Sequence, residues 1–157
     1  MDKILITNEG CEKLKNEIKH LKEVERPKVI EAIASAREMG DLSENAEYHS
    51  ARERQGHLEA TIIKLEDKLA RSEVVDISRL SGKKVQFGAT VVLQDINTEK
   101  KVTYKIVSEY EANIDDGLIS LSSPVAKAVT GKDEGDEVEI NTPGGTKDYE
   151  ILKVEFK

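Results

Sequence analysis

Two runs of apolar residues at helical spacing, separated by a short polar segment, constrain the fold of this chain more than any other feature. The first run spans residues 14 to 21 and resumes from 29 to 36, with Pro27 between its two parts. The second alternates steps of three and four, the seam of a coiled coil, at Tyr48, Ala51, Gln55, Leu58, Ile62, Leu65 and Leu69. Both runs are predicted to be long helices, the first with a kink or break near residues 24–27.

The two runs can be compared with each other, because facing residues of an antiparallel hairpin have a nearly constant sum of residue numbers. In the first part of the run this rule pairs Leu14 with Leu69. After the proline it pairs Ile33 with Ala51, and the sum is larger by one. Both sets of pairs place the turn at residues 41–43. The sequence therefore predicts an antiparallel helical hairpin.

The turn of this hairpin carries two carboxylates, Asp41 and Glu44. Gly40 is predicted to end the first helix, and Ser43 is predicted to be the N-cap of the second. Carboxylates are hard oxygen ligands that suit Mg²⁺, but two of them complete only a site whose other ligands come from a partner. The alternative is that these acidic residues act only as helix caps.

Three arginines, Arg37, Arg52 and Arg54, lie within a few helical turns of the tip. They predict a positive spot that could meet RNA or protein carboxylates. The alternative is a solvated helix face whose charge is balanced by Glu38 and Glu53.

Composition excludes several classes of function. The net charge of −7 disfavours binding of free duplex DNA through a broad phosphate footprint. The single cysteine, Cys11, permits no internal disulfide, and no apolar run has membrane-spanning length. We therefore expect a cytoplasmic protein without a membrane partner. The sequence contains no Gly-rich phosphate loop, nucleophile elbow or zinc signature, so the chain is poorly equipped as a self-contained enzyme.

The second half of the chain changes from helical to strand-like patterns after a polar linker at 77–82. This predicts a hairpin domain at 1–76 and a small, largely antiparallel α+β domain at 83–157. Ser123 and Pro124 are predicted to begin a short helix that ends before Gly131. Strands are predicted at residues 84–87, 90–93, 103–107, 119–121, 137–140 and 149–154.

The sequence resembles the bacterial Gre transcript cleavage factors over essentially the whole chain. Matching segments include residues 7–17, 87–91 and 142–145. Two segments are signatures of the family, Gly40-Asp41-Leu42-Ser43-Glu44-Asn45-Ala46-Glu47-Tyr48 at the tip and Ser122-Ser123-Pro124-Val125-Ala126 further on.

The resemblance implies a coiled-coil hairpin followed by an FKBP-like domain. It implies docking on RNA polymerase through Ser122, Ser123 and Pro124, with the hairpin entering the secondary channel. Asp41 and Glu44 would then hold an Mg²⁺ shared with the polymerase active site. The polymerase itself would cleave the backtracked RNA, so the factor is not an enzyme and holds no cofactor stably alone.

The resemblance also assigns Arg37 and Arg52 to contacts with the nascent RNA 3′ end, in a protein expected to be monomeric. The small basic spot implies short cleavage products, although Arg54 would enlarge it. Three alternatives remain: an inhibitor of the same fold that occupies the channel without promoting cleavage, a prolyl isomerase suggested by the FKBP-like fold alone, and a coiled-coil adaptor.

Overall fold

The computed structural model describes residues 2–157 and has an α+β fold. Two compact units divide the chain. The first contains Cys11–Ser72 and is helical, whereas the second contains Lys3–Gly10 together with Glu73–Lys157 and is built on strands. The predicted fold class, a helical hairpin followed by a small sheet domain, is confirmed. No helix within residues 2–157 is both long and apolar enough to cross a membrane.

The hairpin is formed by helices α1 (Asn8–His20), α2 (Arg26–Arg37) and α3 (Ala46–Ala70). Between α2 and α3, Val29, Ile33 and Ala51 form a buried cluster, against which Ala32, Tyr48 and Leu58 pack. Because these residues belong to the two apolar runs identified in the sequence, the seam predicted for this part of the hairpin is confirmed.

The helix does not break at Pro27. Leu21–Glu25 form a π-helical turn between α1 and α2, and the backbone N–H of Arg26 donates to the carbonyl of Leu21, five residues earlier. Pro27 then lies in the first turn of α2, where its missing N–H is tolerated. A π turn holds one residue more than an α turn, which accounts for the change by one in the pairing sums.

Two short strands that the sequence did not predict change the domain boundaries. Strand β1 (Ile4–Thr7) pairs with β2 (Ser72–Val75) in a two-stranded sheet. Leu5 and Val75 pack against the core of the second unit. The predicted first domain, 1–76, stays a prediction; in the structure, pairing and burial join β1 and most of β2 to the second compact unit.

The main sheet of the second unit has the strand order β5-β4-β3-β7-β6, and all its pairs are antiparallel except β4 with β5. The predicted strand at residues 84–87 is wrong, since Lys84 makes only an isolated bridge to Asp133. A short helix α4 (Pro124–Val129) packs near β6. The strands are β3 (Thr90–Asp95), β4 (Lys101–Val107), β5 (Leu118–Ser120), β6 (Glu137–Thr142) and β7 (Gly145–Glu155).

The core of the main sheet is formed by side chains that alternate along the strands. In β3 every second side chain is buried, as expected for a strand with one face toward a core. Helix α4 contributes two buried apolar residues to the same core. The buried members include Val85, Phe87, Ala89, Val91, Leu93, Ile106, Ile119, Ala126, Val129, Val138, Ile140, Ile151 and Val154.

Candidate functional site at the hairpin tip

The turn between α2 and α3 is short and exposed. Helix α2 ends at Arg37, and Gly40 has a φ of +119°, a backbone conformation that favours glycine. A 3₁₀ turn follows at Leu42–Glu44, and α3 begins at Ala46. The prediction that the first helix ends at Gly40 is therefore accurate to within three residues, and the 3₁₀ turn is an addition that the sequence did not reveal.

Asn45, and not Ser43, is the N-cap of α3. Its Oδ1 accepts a hydrogen bond from the Tyr48 backbone N–H at 3.0 Å. Its Nδ2 donates to the Ala36 carbonyl at 2.6 Å, so the same side chain also connects α3 to α2. The Ser43 prediction is wrong because the residues before Asn45 form the 3₁₀ turn and the helix begins later.

Asp41 caps the 3₁₀ turn. Its Oδ1 accepts hydrogen bonds from the Ser43 hydroxyl at 2.7 Å and from the Ser43 backbone N–H at 2.9 Å. These hydrogen bonds, the hydroxyl first, hold the pKa of the Asp41 carboxyl below its ordinary value. The side chain is exposed, and its Oδ2 has no hydrogen-bond partner in the described part of the chain. Asp41 is therefore a cap that still presents a free, ionised oxygen.

Glu44 ends the same 3₁₀ turn and is also exposed. Its carboxylate makes no hydrogen bond or ion pair with any residue of 2–157, although its backbone N–H donates to the Asp41 carbonyl at 3.4 Å. The structure thus places Asp41 and Glu44 at the two ends of one 3₁₀ turn at the tip, Asp41 as its N-cap and Glu44 as its last residue. No cluster of three or more His, Cys, Asp or Glu that could hold a metal occurs among the described residues.

Arg37 and Arg52 line one open groove between α2 and α3, with a volume of about 250 Å³. The Arg37 guanidinium lies 5.8 Å from the centre of the Tyr48 ring. Arg54 instead lines a different groove of about 490 Å³, together with Glu47. The structure therefore groups Arg37 with Arg52 in one groove and places Arg54 at another, and the enlargement of the positive spot by Arg54 stays a prediction.

The Ser-Pro segment lies in the second unit at the start of α4. Ser123 is the N-cap and accepts from the Ala126 backbone N–H at 3.2 Å, which confirms its predicted role in the helix. Pro124 occupies the first turn. Ser122 donates from its hydroxyl to Oε1 of Glu109 at 2.8 Å. Ser122 and Pro124 are exposed, so this capped turn forms a fixed polar surface.

Two residues at the tip were missed by reasoning from sequence. Asn45 was not recognised as the cap, although Asn is a preferred N-cap residue. Gln55 was placed in the apolar seam of the second helix, but it lines the groove with Arg37 and Arg52 and is only half-buried. The signal available in the sequence was that Gln55 is a polar side chain in an otherwise apolar seam.

The fold and the tip define a class of two-unit proteins in which a helical hairpin presents carboxylates and guanidinium groups near an exposed turn. Two family models match the chain: the N-terminal domain of transcription elongation factors over residues 4–74, and the C-terminal domain of GreA/GreB over residues 80–156. The chain therefore belongs to the GreA/GreB family of transcription elongation factors.

Relatives of similar length support this assignment. The transcription elongation factor GreA of Phenylobacterium zucineum is 57% identical over 156 residues, which cover 99% of each chain. GreA of Rickettsia canadensis is 57% identical over 155 residues, covering 99% of this chain and 96% of the relative. Among solved structures, the GreA factor homolog 1 protein of Thermus thermophilus is 26% identical with a TM-score of 0.44, covering 98% of this chain and 99% of that one.

Proposed function

We propose that this protein inserts its hairpin tip into the secondary channel of RNA polymerase and stimulates the polymerase's own cleavage of backtracked RNA. The observation that carries the proposal is the pair of exposed carboxylates, Asp41 and Glu44, in a single turn at the end of a two-helix hairpin. Membership of a family of transcription elongation factors supports the same conclusion. The protein acts as an activator in the cytoplasm, and the polymerase is the catalyst.

The two carboxylates fit a shared magnesium site. Asp41 has a lowered pKa and a free Oδ2, and the Glu44 carboxylate has no partner in the described part of the chain, so both can supply hard oxygen ligands. Mg²⁺ commonly takes one or two carboxylates from one protein and completes its shell elsewhere. Mg²⁺ held there, together with a metal ion of the polymerase, would stabilise the charge that develops in a phosphodiester displacement.

The remaining residues of the tip hold this arrangement in place. Ser43 fixes one oxygen of Asp41 by two hydrogen bonds and leaves the other oxygen available. Asn45 connects the start of α3 to the end of α2 and so limits opening of the turn. Because the guanidinium groups of Arg37 and Arg52 can bind phosphate, we assign them to the nascent RNA 3′ end.

Docking is assigned to the exposed turn at Ser122, Ser123 and Pro124. Its geometry is fixed by the cap at Ser123 and by the hydrogen bond from Ser122 to Glu109. A turn that is ordered before binding loses little conformational entropy on docking. We propose that this surface binds the polymerase while the hairpin tip reaches the active centre, with one protein monomer per polymerase.

The test is RNA cleavage in a stalled, backtracked elongation complex, with polymerase binding measured in parallel. The Asp41→Asn/Glu44→Gln double variant removes both charges but keeps an acceptor for Ser43. Asp76→Asn is the matched control, because Asp76 caps a 3₁₀ turn through Ser78 in the same way but lies outside the tip. We expect the double variant to bind and fail to stimulate cleavage, whereas the control behaves like the wild type.

Two results would contradict the proposal. Unchanged cleavage in the double variant would reduce Asp41 and Glu44 to helix caps. Binding of the wild type without any stimulation of cleavage would instead indicate an inhibitor of the same fold.

A further inference from the structure

The groove beside the tip contains more than its two arginines. Its lining combines three kinds of side chain: guanidinium groups, an apolar surface and one neutral amide. The lining residues are Ile30, Ile33, Ala34, Arg37, Arg52 and Gln55. All six lie on α2 or α3 within the first unit.

The amide of Gln55 has no structural role that explains it. It lies at a seam position where an apolar residue would pack between the helices. Its side chain is half-buried and makes no hydrogen bond with any residue of 2–157. The donor and acceptor of this amide are therefore available to a bound molecule.

The cations of the groove are not neutralised by the protein. Arg37 and Arg52 are both exposed, and neither forms an ion pair within the described residues, although acidic residues outnumber basic ones, 31 to 24. Guanidinium groups bind phosphate with two parallel hydrogen bonds. The charge of the groove therefore favours a ligand that carries phosphate.

The apolar surface selects further among anionic ligands. Ile30 is 53% exposed, although it lies only one position from the buried Val29. Nucleic-acid bases that are not paired pack their flat faces on side chains and expose polar edges to hydrogen bonding. The phosphate thus matches Arg37 and Arg52, the face of the base matches Ile30, and the edge of the base matches Gln55.

We propose that this groove binds a single RNA nucleotide, with Gln55 hydrogen-bonding to the edge of the base and Ile30 packing against its face. The inference rests on the proposed function, since it concerns the RNA that the tip meets. The volume of about 250 Å³ lies just below the usual range for ligand pockets, roughly 300–1,000 Å³, which suits one nucleotide at this position. Gln55 then makes cleavage depend on the identity of that base.

The first experiment compares backtracked complexes that differ only in which of the four bases ends the RNA. Gln55→Leu removes the amide and keeps a side chain that packs in the seam. We expect a base preference of several-fold in the wild type and less than two-fold in this variant, with unchanged polymerase binding. Equal base dependence in the two proteins would overturn the role of Gln55.

Ile30→Ser tests the packing surface, and Ile63→Ser is its matched control, because Ile63 is also exposed, at 68%, but lies outside the groove. We expect Ile30→Ser to raise the factor concentration needed for half-maximal cleavage at least three-fold, and Ile63→Ser to leave it unchanged. Equal effects of the two substitutions would contradict a specific contact at Ile30.

A second readout separates this inference from the proposed function. RNA carrying a photoreactive base at its 3′ end is crosslinked in the backtracked complex, and the attached peptide is identified. Attachment next to Ile30 or Gln55 is the expected result, even if cleavage is not stimulated. Normal stimulation without attachment there, with the RNA attached only to polymerase protein, would overturn the nucleotide site and leave the proposed function standing.

Discussion

The side chain of Asn45 makes two hydrogen bonds whose contributions can be measured separately. Oδ1 caps α3 at the Tyr48 N–H, and Nδ2 bridges to the Ala36 carbonyl on the other helix. Loss of an N-cap costs about 1 kcal/mol, and loss of a side-chain hydrogen bond costs about 1 kcal/mol more. Asn45→Ala should therefore favour opening of the tip by about 2 kcal/mol, which is roughly 30-fold in the opening equilibrium.

The measurement is amide hydrogen exchange by NMR, which reports local opening and does not require unfolding of the whole chain. The amides of residues 48–51 should exchange roughly 30-fold faster in Asn45→Ala. Asn45→Asp is the matched variant, because its carboxylate keeps the cap and loses only the donor to Ala36. It should show about half of the free-energy change, close to 1 kcal/mol.

Three outcomes would refute this reasoning. Exchange in Asn45→Asp equal to that of the wild type would mean that the bridge to Ala36 contributes nothing. Equal exchange in the Asp and Ala variants would mean that the cap contributes nothing. Faster exchange in the sheet strand β3 as well as at the tip would show that the effect is not local.

Two further predictions concern single residues away from the turn. Gly56 lies inside α3, and a Cβ added there would meet no atom within 4 Å. Gly56→Ala should therefore stabilise the helix by about 1 kcal/mol. A lower urea midpoint for unfolding of the hairpin would contradict this prediction. Hydrogen bonds from Lys153 and Lys157 lower the pKa of Glu155 to about 2, against an ordinary value of about 4.3. Because the folded pKa is the lower one, the resulting stabilisation is complete above about pH 4.3 and is lost as the pH falls toward 2. The measurement is an NMR titration of the Glu155 carboxyl group, and a midpoint near pH 4 would contradict the lowered pKa.

The hairpin could be predicted because each helix carries its own periodic seam and the two seams agree on one turn. Most strands of the main sheet could be predicted for a similar reason. In β6 the alternation of Glu137, Val138, Glu139 and Ile140 in sequence matches the alternation of exposed and buried side chains. Patterns of this kind are local, and burial on one face follows directly from them.

The missed strands depend on partners that are distant in sequence. Strands β1 and β2 have four residues each, and they form by pairing with one another although one precedes the hairpin in sequence and the other follows it. Residues 84–87 show the reverse case. Val85 and Phe87 are buried in the core as a strand pattern suggests, but no neighbouring strand pairs with them beyond the bridge at Lys84. Burial was predictable there, and hydrogen-bond partners were not.

The tip shows a different limit of sequence reasoning. Asp41, Ser43 and Asn45 are all residues that favour N-cap positions, and they alternate within five residues. Asp41 caps the 3₁₀ turn, and Asn45 caps α3. The side chain of Asn45 also donates a hydrogen bond to the Ala36 carbonyl on the other helix. The start of α3 therefore coincides with a tertiary contact, which local helix propensity does not predict.

The extra residue of the π turn determines which side chains of α2 lie in the seam and which line the groove beside the tip. If the spacing of Leu14 and Ile18 continued unchanged, the polar residues Glu25 and Lys28 would face α3. One inserted residue rotates the rest of the helix by roughly 100° relative to that spacing. The insertion brings Val29, Ile33 and Ala36 to the seam, where all three are buried. The positions that directly follow these three in sequence, residues 30, 34 and 37, then lie at the border with α3, where they line the groove. The proposed nucleotide site therefore depends on the inserted residue as much as on the side chains that line it.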